Sequence, residues 1–256
     1  MTAASGDPAL PELCLEWCRT HSYDHDVLHD VATVDLDWWN TRLDRAAIPV
    51  RLHGRTSQRV RTDTGIAVLE RGELRADARD LAYSGPPELV RLYLCVAWLM
   101  GNLGRGRAKR FPDVRDTQPT HPPLAQITRA LASFERSPAL IDVGPQRQWS
   151  GWPVAPGVGA TPLSLYAWAV CSDSSLQCPQ LVDQQGLASL VHHGWVDNPA
   201  IGSLTLSRYL RYCALLARWS YQAGVPSELI ELWLARSWRA RQQSPSPFMN
   251  QVRGGW

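Results

Sequence analysis

The segment Pro156-Gly157-Val158-Gly159-Ala160-Thr161 runs into the apolar stretch Leu163 to Val170, and Asp183 follows Thr161 by twenty-two residues. Two glycines around one apolar residue at a helix start leave backbone N–H groups uncovered. The helix dipole adds partial positive charge at the same place. Such a turn can hold a phosphate without any side chain. The same residues also suit a tight turn before a core helix, since eighteen glycines in 256 residues yield about one G-x-G by chance. Asp183 stands between Leu181-Val182 and Gln184-Gln185. A carboxylate fixed there can stabilise developing positive charge or orient a water, and it can equally cap a helix starting at Gln184.

A second chemical feature is the run after Asn102, where Arg105, Arg107, Lys109, Arg110 and Arg115 crowd together. Clustering of this kind fits a nucleic-acid footprint or a solvated loop. Lys109 is the only lysine, so a lysine nucleophile has a single candidate, and it lies far from the hairpin. Cys14, Cys18, Cys95, Cys171, Cys178 and Cys213 form no paired C-x-x-C knuckles and read as reduced thiols. His192-His193 lack the neighbours of a zinc motif, and no metal or cofactor is expected. Neither a Walker loop nor a G-x-S-x-G elbow is present. Twelve tryptophans against three phenylalanines offer flat faces that serve core packing and base stacking alike.

The elements that must position these groups read mainly as helices. Pro86-Pro87-Glu88 opens one whose apolar face includes Leu89, Leu92, Val96 and Leu99, with Gly101 at its end. Leu124 to Phe134, Thr161 to Val170 and Gln184 to Val191 continue the series. Leu206, Leu210, Cys213, Ala217 and Tyr221 keep a three-four spacing that Gly224 stops, and Ser227 then caps a helix with Leu229, Ile230, Trp233, Leu234 and Trp238 on one stripe. In the first 85 residues, Pro11 to Arg19 and Val27 to Leu43 read as helical. Ile66 to Leu69 before Arg71-Gly72 reads as a short strand and turn. Residues 1–85 are therefore expected as an extension with a small β element, 86–243 as a helical domain, and 244–256 as a frayed Ser/Pro/Gly-rich tail.

Pro156 to Gly159, the helix after it and Asp183 together resemble the helix-hairpin-helix DNA glycosylases, in the 8-oxoguanine glycosylase-like branch. There the hairpin reads P-G-V-G-x-K and an aspartate follows about twenty residues on. Leu92 to Met100 followed by Gly101-Asn102-Leu103-Gly104-Arg105-Gly106-Arg107 is similar to the family's helix and strand-reading loop. The resemblance covers about residues 85 to 240. It implies a helix-hairpin-helix fold, Asp183 as the catalytic carboxylate, and DNA contacts from Gly157, Val158, Gly159, Thr161, Gln185, Asn102, Arg105 and Arg107. Trp98, Trp168 and Trp233 become candidates for the base pocket. Thr161 occupies the position of the family's lysine nucleophile, and Ser164 does not restore it, so the resemblance implies a glycosylase without lyase activity. Pro153 falls where the first helix of the hairpin should run, so that helix is expected to be short or distorted.

The implied partner is double-stranded DNA bearing a damaged or hypermodified base, bound by a monomer. A helix-hairpin-helix protein that binds DNA without catalysis, and a helical interaction module with core tryptophans, are the competing expectations. A net charge of +2 and 45% hydrophobic residues fit an ordinary globular chain. The longest mainly apolar run, Leu92 to Met100, is too short to span a bilayer, and the start of the chain lacks the shape of a signal peptide. A cytoplasmic protein with no membrane partner is expected.

Overall fold

The computed structural model describes residues 7–103, 123–136, 150–171 and 178–243. The chain begins with α1 (Glu12–Cys18) and a π-helical turn (Tyr23–Leu28), then β1 (Val31–Asp35) and α2 (Leu36–Arg45). Three further strands follow, β2 (Gly54–Arg55), β3 (Arg61–Thr62) and β4 (Ile66–Glu70), and a 3-10 turn (Arg71–Arg75) leads to α3 (Ala78–Ala82). The rest is helical: α4 (Pro87–Leu103), α5 (Pro123–Arg136), α6 (Ala160–Val170), α7 (Gln184–His192), α8 (Leu206–Ala223) and α9 (Ser227–Gln243). The protein is thus mainly α with one small antiparallel sheet, ordered β1-β4-β2-β3.

Part of the expected helix from Val27 to Leu43 is a strand. Val31 pairs with Glu70 and Asp35 with Ile66, and the exposed–buried alternation along Val31 to Val34 has the period of two that pairing requires. Helix begins only at Leu36, where the Asp35 carboxylate accepts the Trp38 N–H at 3.0 Å. The expected strand at Ile66 to Leu69 is β4. In the helical part the expected helices are present, with Ser227 opening α9 as a helical residue instead of capping it. The buried face of α8 differs from the expected stripe: Tyr209, Tyr212, Leu215, Leu216 and Trp219 are buried beside Leu206, whereas Tyr221 is 91% exposed. Gly224 closes α8.

Helix α4 packs on β1 and on α6, while α7 and α8 both pack on α9. Because α4 and α6 are enclosed on several sides, residues Leu163 to Ala169 are all buried, and no polar stripe was needed in their sequence. Buried side chains from Cys14 in α1 to Leu234 in α9 form one continuous core, with Trp168, Trp195 and Trp219 fully enclosed. Cys171 and Cys178 are joined as a disulfide, with Cα atoms 6.0 Å apart, which corrects the reading of six reduced cysteines. Packing of α6 against the segment before α7 brings the two together, a proximity that their spacing does not announce. No helix among the described residues is long and apolar enough to cross a membrane.

Candidate active site

The hairpin enters α6 through a turn in which the Val158 N–H donates to the Ala155 carbonyl at 3.0 Å. Gly157 has φ +75°, a left-handed conformation in which a Cβ is strained. Gly159 caps α6 with φ −84°, an ordinary conformation, and a Cβ added there would meet nothing within 4 Å. Val158 is buried between them and anchors the turn, leaving both glycines at the surface. No helix precedes this turn between residues 150 and 159, where Pro153 lies.

Side chains, not a sheet, hold the extended segment leading to Asp183. The Gln180 N–H donates to the Tyr209 hydroxyl at 3.0 Å, and that hydroxyl donates to the Gln180 carbonyl at 2.8 Å. The Leu181 N–H donates to Glu231 Oε2 at 3.3 Å, and the Tyr212 hydroxyl donates to the Leu181 carbonyl at 3.1 Å. The Val182 N–H donates to the Ser164 hydroxyl of α6 at 3.1 Å. Buried backbone groups must find partners, and here α6 and α9 supply one side chain each and α8 supplies two. The result is an irregular strand whose last residue, Asp183, is set at the start of α7.

The Asp183 carboxylate accepts the Gly186 N–H at 2.6 Å, so it does cap α7. A Cβ on Gly186 would sit 3.3 Å from that same oxygen, and glycine spares the carboxylate this pressure. Capping uses one of the roughly four lone-pair directions of an ionised carboxylate and leaves the others available. Asp183 also borders a narrow cavity of about 20 Å³, together with Arg71, Trp98, Tyr212, Glu231 and Arg239.

Several residues at this cavity escaped the sequence reading, Tyr212 and Arg239 among them, and the chief ones are Arg71 and Glu231. Arg71 is fully buried and forms a fork-to-fork pair with Glu231, donating from Nη1 to Oε1 at 3.2 Å and from Nη2 to Oε2 at 2.8 Å. Its guanidinium carbon lies 4.4 Å from the Trp168 ring centre and 5.8 Å from that of Trp98. Burial pushes the Glu231 carboxyl up to about 7, with the Arg71 charge opposing that rise and Glu228 and Asp183 reinforcing it. One signal was visible. Glu231 is a charge inside the apolar run Leu229-Ile230-Glu231-Leu232-Trp233-Leu234, where a lone carboxylate needs a buried partner. Nothing local pointed to Arg71, read as part of a turn.

The other sequence candidates are distributed as follows. Trp98 lines the cavity and donates its indole N–H to the Asp30 carbonyl at 3.0 Å. Trp168 lies behind the cavity against Arg71, bonded to Glu228 Oε1 at 3.1 Å. Trp233 is packed against the His193 ring, with centroids 5.2 Å apart, and is not among the cavity's lining residues. Gln185 accepts from Arg239 Nε at the cavity's edge. Thr161 lies in the first turn of α6 and does not line the cavity, and Ser164 is fully buried with its hydroxyl engaged. Asn102 is in the last turn of α4, while Arg105 and Arg107 lie outside the described residues, as do Lys109 and the tail from Ser244.

A roomier cavity of about 440 Å³ lies elsewhere, between β2–β3 and α3–α4, with Arg51, Arg55 and Arg61 in its lining. Arg51 pairs with Asp63 at 2.6 Å and Arg55 with Glu73, so two of its three guanidiniums are already neutralised.

A glycine turn opens one helix and an aspartate opens the next, at the edge of a buried polar cavity in a mainly α protein, an arrangement compatible with a DNA glycosylase-like protein. The family comparison gives the branch: the model described as "Putative 8-oxoguanine DNA glycosylase OGG-like protein" matches residues 25–235, and the chain belongs to that family. No curated protein and no solved structure matches the chain.

Proposed function

We propose that this protein is a monofunctional DNA glycosylase that hydrolyses the N-glycosidic bond of a modified base turned out of double-stranded DNA. The observation that carries this reading is Asp183, held at the start of α7 by three packed helices and bordering a buried cavity. As the bond breaks, positive charge builds on the deoxyribose, and a fixed carboxylate about 3–4 Å away stabilises it electrostatically. The same carboxylate orients the water that adds to the sugar carbon, while the base departs with the bonding pair and takes up a proton. The product is an intact abasic site. Thr161 at the lysine position supports hydrolysis without strand cleavage.

In this reading the backbone of Gly157, Val158 and Gly159 grips a phosphate, with Thr161 and Gln185 close by. Asn102, Arg105 and Arg107 fill the gap and contact the opposite strand. A monomer working in the cytoplasm, on damaged bases or on hypermodified bases of phage DNA, fits these features. The missing lysine favours a second reading, in which the protein binds DNA without excising anything. One experiment separates them: incubation of the purified protein with a panel of modified DNAs, hypermodified phage genomes included, and mass detection of released bases. A free base supports the glycosylase; duplex binding with no release across the panel supports the second reading.

A further inference from the structure

The pairing of β2 with β3 breaks a rule of sheet construction. Its register sets Arg55 directly opposite Arg61, and like charges at such positions destabilise an antiparallel pair. Glu73 takes up the Arg55 charge, whereas Arg61 makes no ion pair among the described residues. A short edge strand that keeps an uncompensated charge is explained if something outside the chain meets that charge. Both arginines line the cavity of about 440 Å³, which shares no lining residue with the Asp183 cavity.

The rest of that cavity is apolar, and its walls are fixed to each other. Leu69 of β4, Leu81 of α3, and Val90 and Leu94 of α4 are all buried and form a floor. The Ser84 hydroxyl and His53 Nδ1 lie 3.0 Å apart, and the Arg51 N–H donates to the Ser84 carbonyl at 2.8 Å. Gly85 follows with φ +135°, and a Cβ there would collide with the Pro49 carbonyl oxygen. Only glycine lets the turn between α3 and α4 close so tightly on the chain leading into β2. The cavity is thus formed before any ligand enters, at a volume within the range of about 300–1,000 Å³ usual for small-molecule sites. A phosphate in a duplex backbone is flanked by sugars and would leave the leucine floor uncovered. Asp80, on α3, is the lining's other charge without an ion pair among the described residues, and it steers an anion toward the β2–β3 side.

We propose that this cavity binds a small organic anion, with its carboxylate or phosphate on Arg61 and its apolar body on Leu69, Leu81, Val90 and Leu94. The site is separate from the Asp183 cavity and does not depend on the glycosylase reading. His53 reports on its occupancy. Burial first, and the Arg61 charge next, hold its imidazole below the ordinary histidine value, with Arg51 adding to this and Asp63 opposing it. An anion seated on Arg61 offsets that charge, so the His53 titration should move upward when the site fills.

Four probes separate the two halves of the proposal: naphthoate, naphthyl phosphate, neutral naphthol, and inorganic phosphate. Titrated into the full chain at about pH 7, at least one of the naphthyl anions should bind about tenfold more tightly than both naphthol and inorganic phosphate. The tighter of the two anions identifies the acid group as carboxylate or phosphate. Arg61→Gln alters an exposed side chain and should remove the advantage over naphthol, while naphthol affinity itself stays. Asp80→Asn should leave the anion's affinity unchanged or raise it. Should Arg61→Gln fail to fold, the upward shift of the His53 ring signals in the unmodified protein decides, with His53→Gln used to assign them. No binding of any probe, or anions bound no better than naphthol, would overturn the assignment. So would an advantage that survives Arg61→Gln, anion binding lost in Asp80→Asn, or a His53 titration unmoved at saturation. Inorganic phosphate bound as tightly as naphthyl phosphate would instead make this face a groove for a nucleic-acid backbone and end the small-molecule proposal.

Discussion

The Val182 N–H donates to the hydroxyl of Ser164 at 3.1 Å, and Ser164 in turn donates to the Thr161 carbonyl at 2.9 Å. The hairpin helix α6 is thereby tied to the residue immediately before Asp183. In the proposed reading, a phosphate held at the hairpin and a sugar presented to Asp183 would be positioned by this one short chain of bonds. Ser164→Ala should leave a buried N–H unpaired and cost about 1–3 kcal/mol of stability. If the tie also positions Asp183, kcat for base release should fall while KM changes little. Chemical denaturation and single-turnover kinetics measure the two effects.

Asp183→Asn keeps the shape of the side chain but removes the charge assigned to transition-state stabilisation. Excision should fall by two or more orders of magnitude, on the order of 3 kcal/mol, with duplex affinity largely retained. The unmodified protein should leave abasic sites that break only with alkali, and borohydride should trap no covalent adduct. Adduct formation lost in Lys109→Ala would restore a lysine mechanism.

The two hairpin glycines should behave differently. Gly157→Ala forces a Cβ into a left-handed conformation at φ +75° and should cost about 1–2 kcal/mol in thermal unfolding. Gly159→Val meets open space and an ordinary φ, so the fold should hold. Its DNA affinity should nevertheless drop if the hairpin grips a phosphate as proposed, because the added side chain would stand in the way of that approach. Melting curves paired with duplex-binding titrations distinguish a folding role from a contact role.

Glu231 should give the protein a distinctive pH dependence. Its carboxyl is raised from an ordinary 4.5 to about 7 in the folded state. Between those values the unfolded chain has lost the proton and the folded one keeps it, so stability should decline as pH rises from about 4.5 to 7 and level off above. The full shift corresponds to about 3 kcal/mol. Glu231→Gln should flatten this segment of the stability–pH profile, whatever its effect on absolute stability. A slope unchanged in the variant would assign the dependence to another group.

Arg105 and Arg107 can be tested through the salt dependence of duplex binding. If each neutralises a phosphate, alanine at either position should reduce the salt slope of duplex binding by about one charge. Unchanged slopes in both variants would make the cluster a solvated loop.

The amino-acid sequence by itself determined the helices of the second half, the hairpin turn and the place of Asp183 beside α7. Those features come from interactions within a few residues: the three-four apolar spacing, glycine torsions and a carboxylate reaching the N–H three residues on. The tertiary structure decided the rest. Val31 to Asp35 reads as helix until β4 arrives to accept its hydrogen bonds, because a strand is stabilised by a partner elsewhere in the chain. Among the tryptophans, packing alone selects Trp98 for the cavity and sends Trp233 to His193, since all share the same local chemistry. Arg71 and Glu231 stand 160 positions apart, and each would be an unpaired buried charge without the other. Such a pair has no local signature, because the energy that justifies it exists only once the sheet and α9 have met.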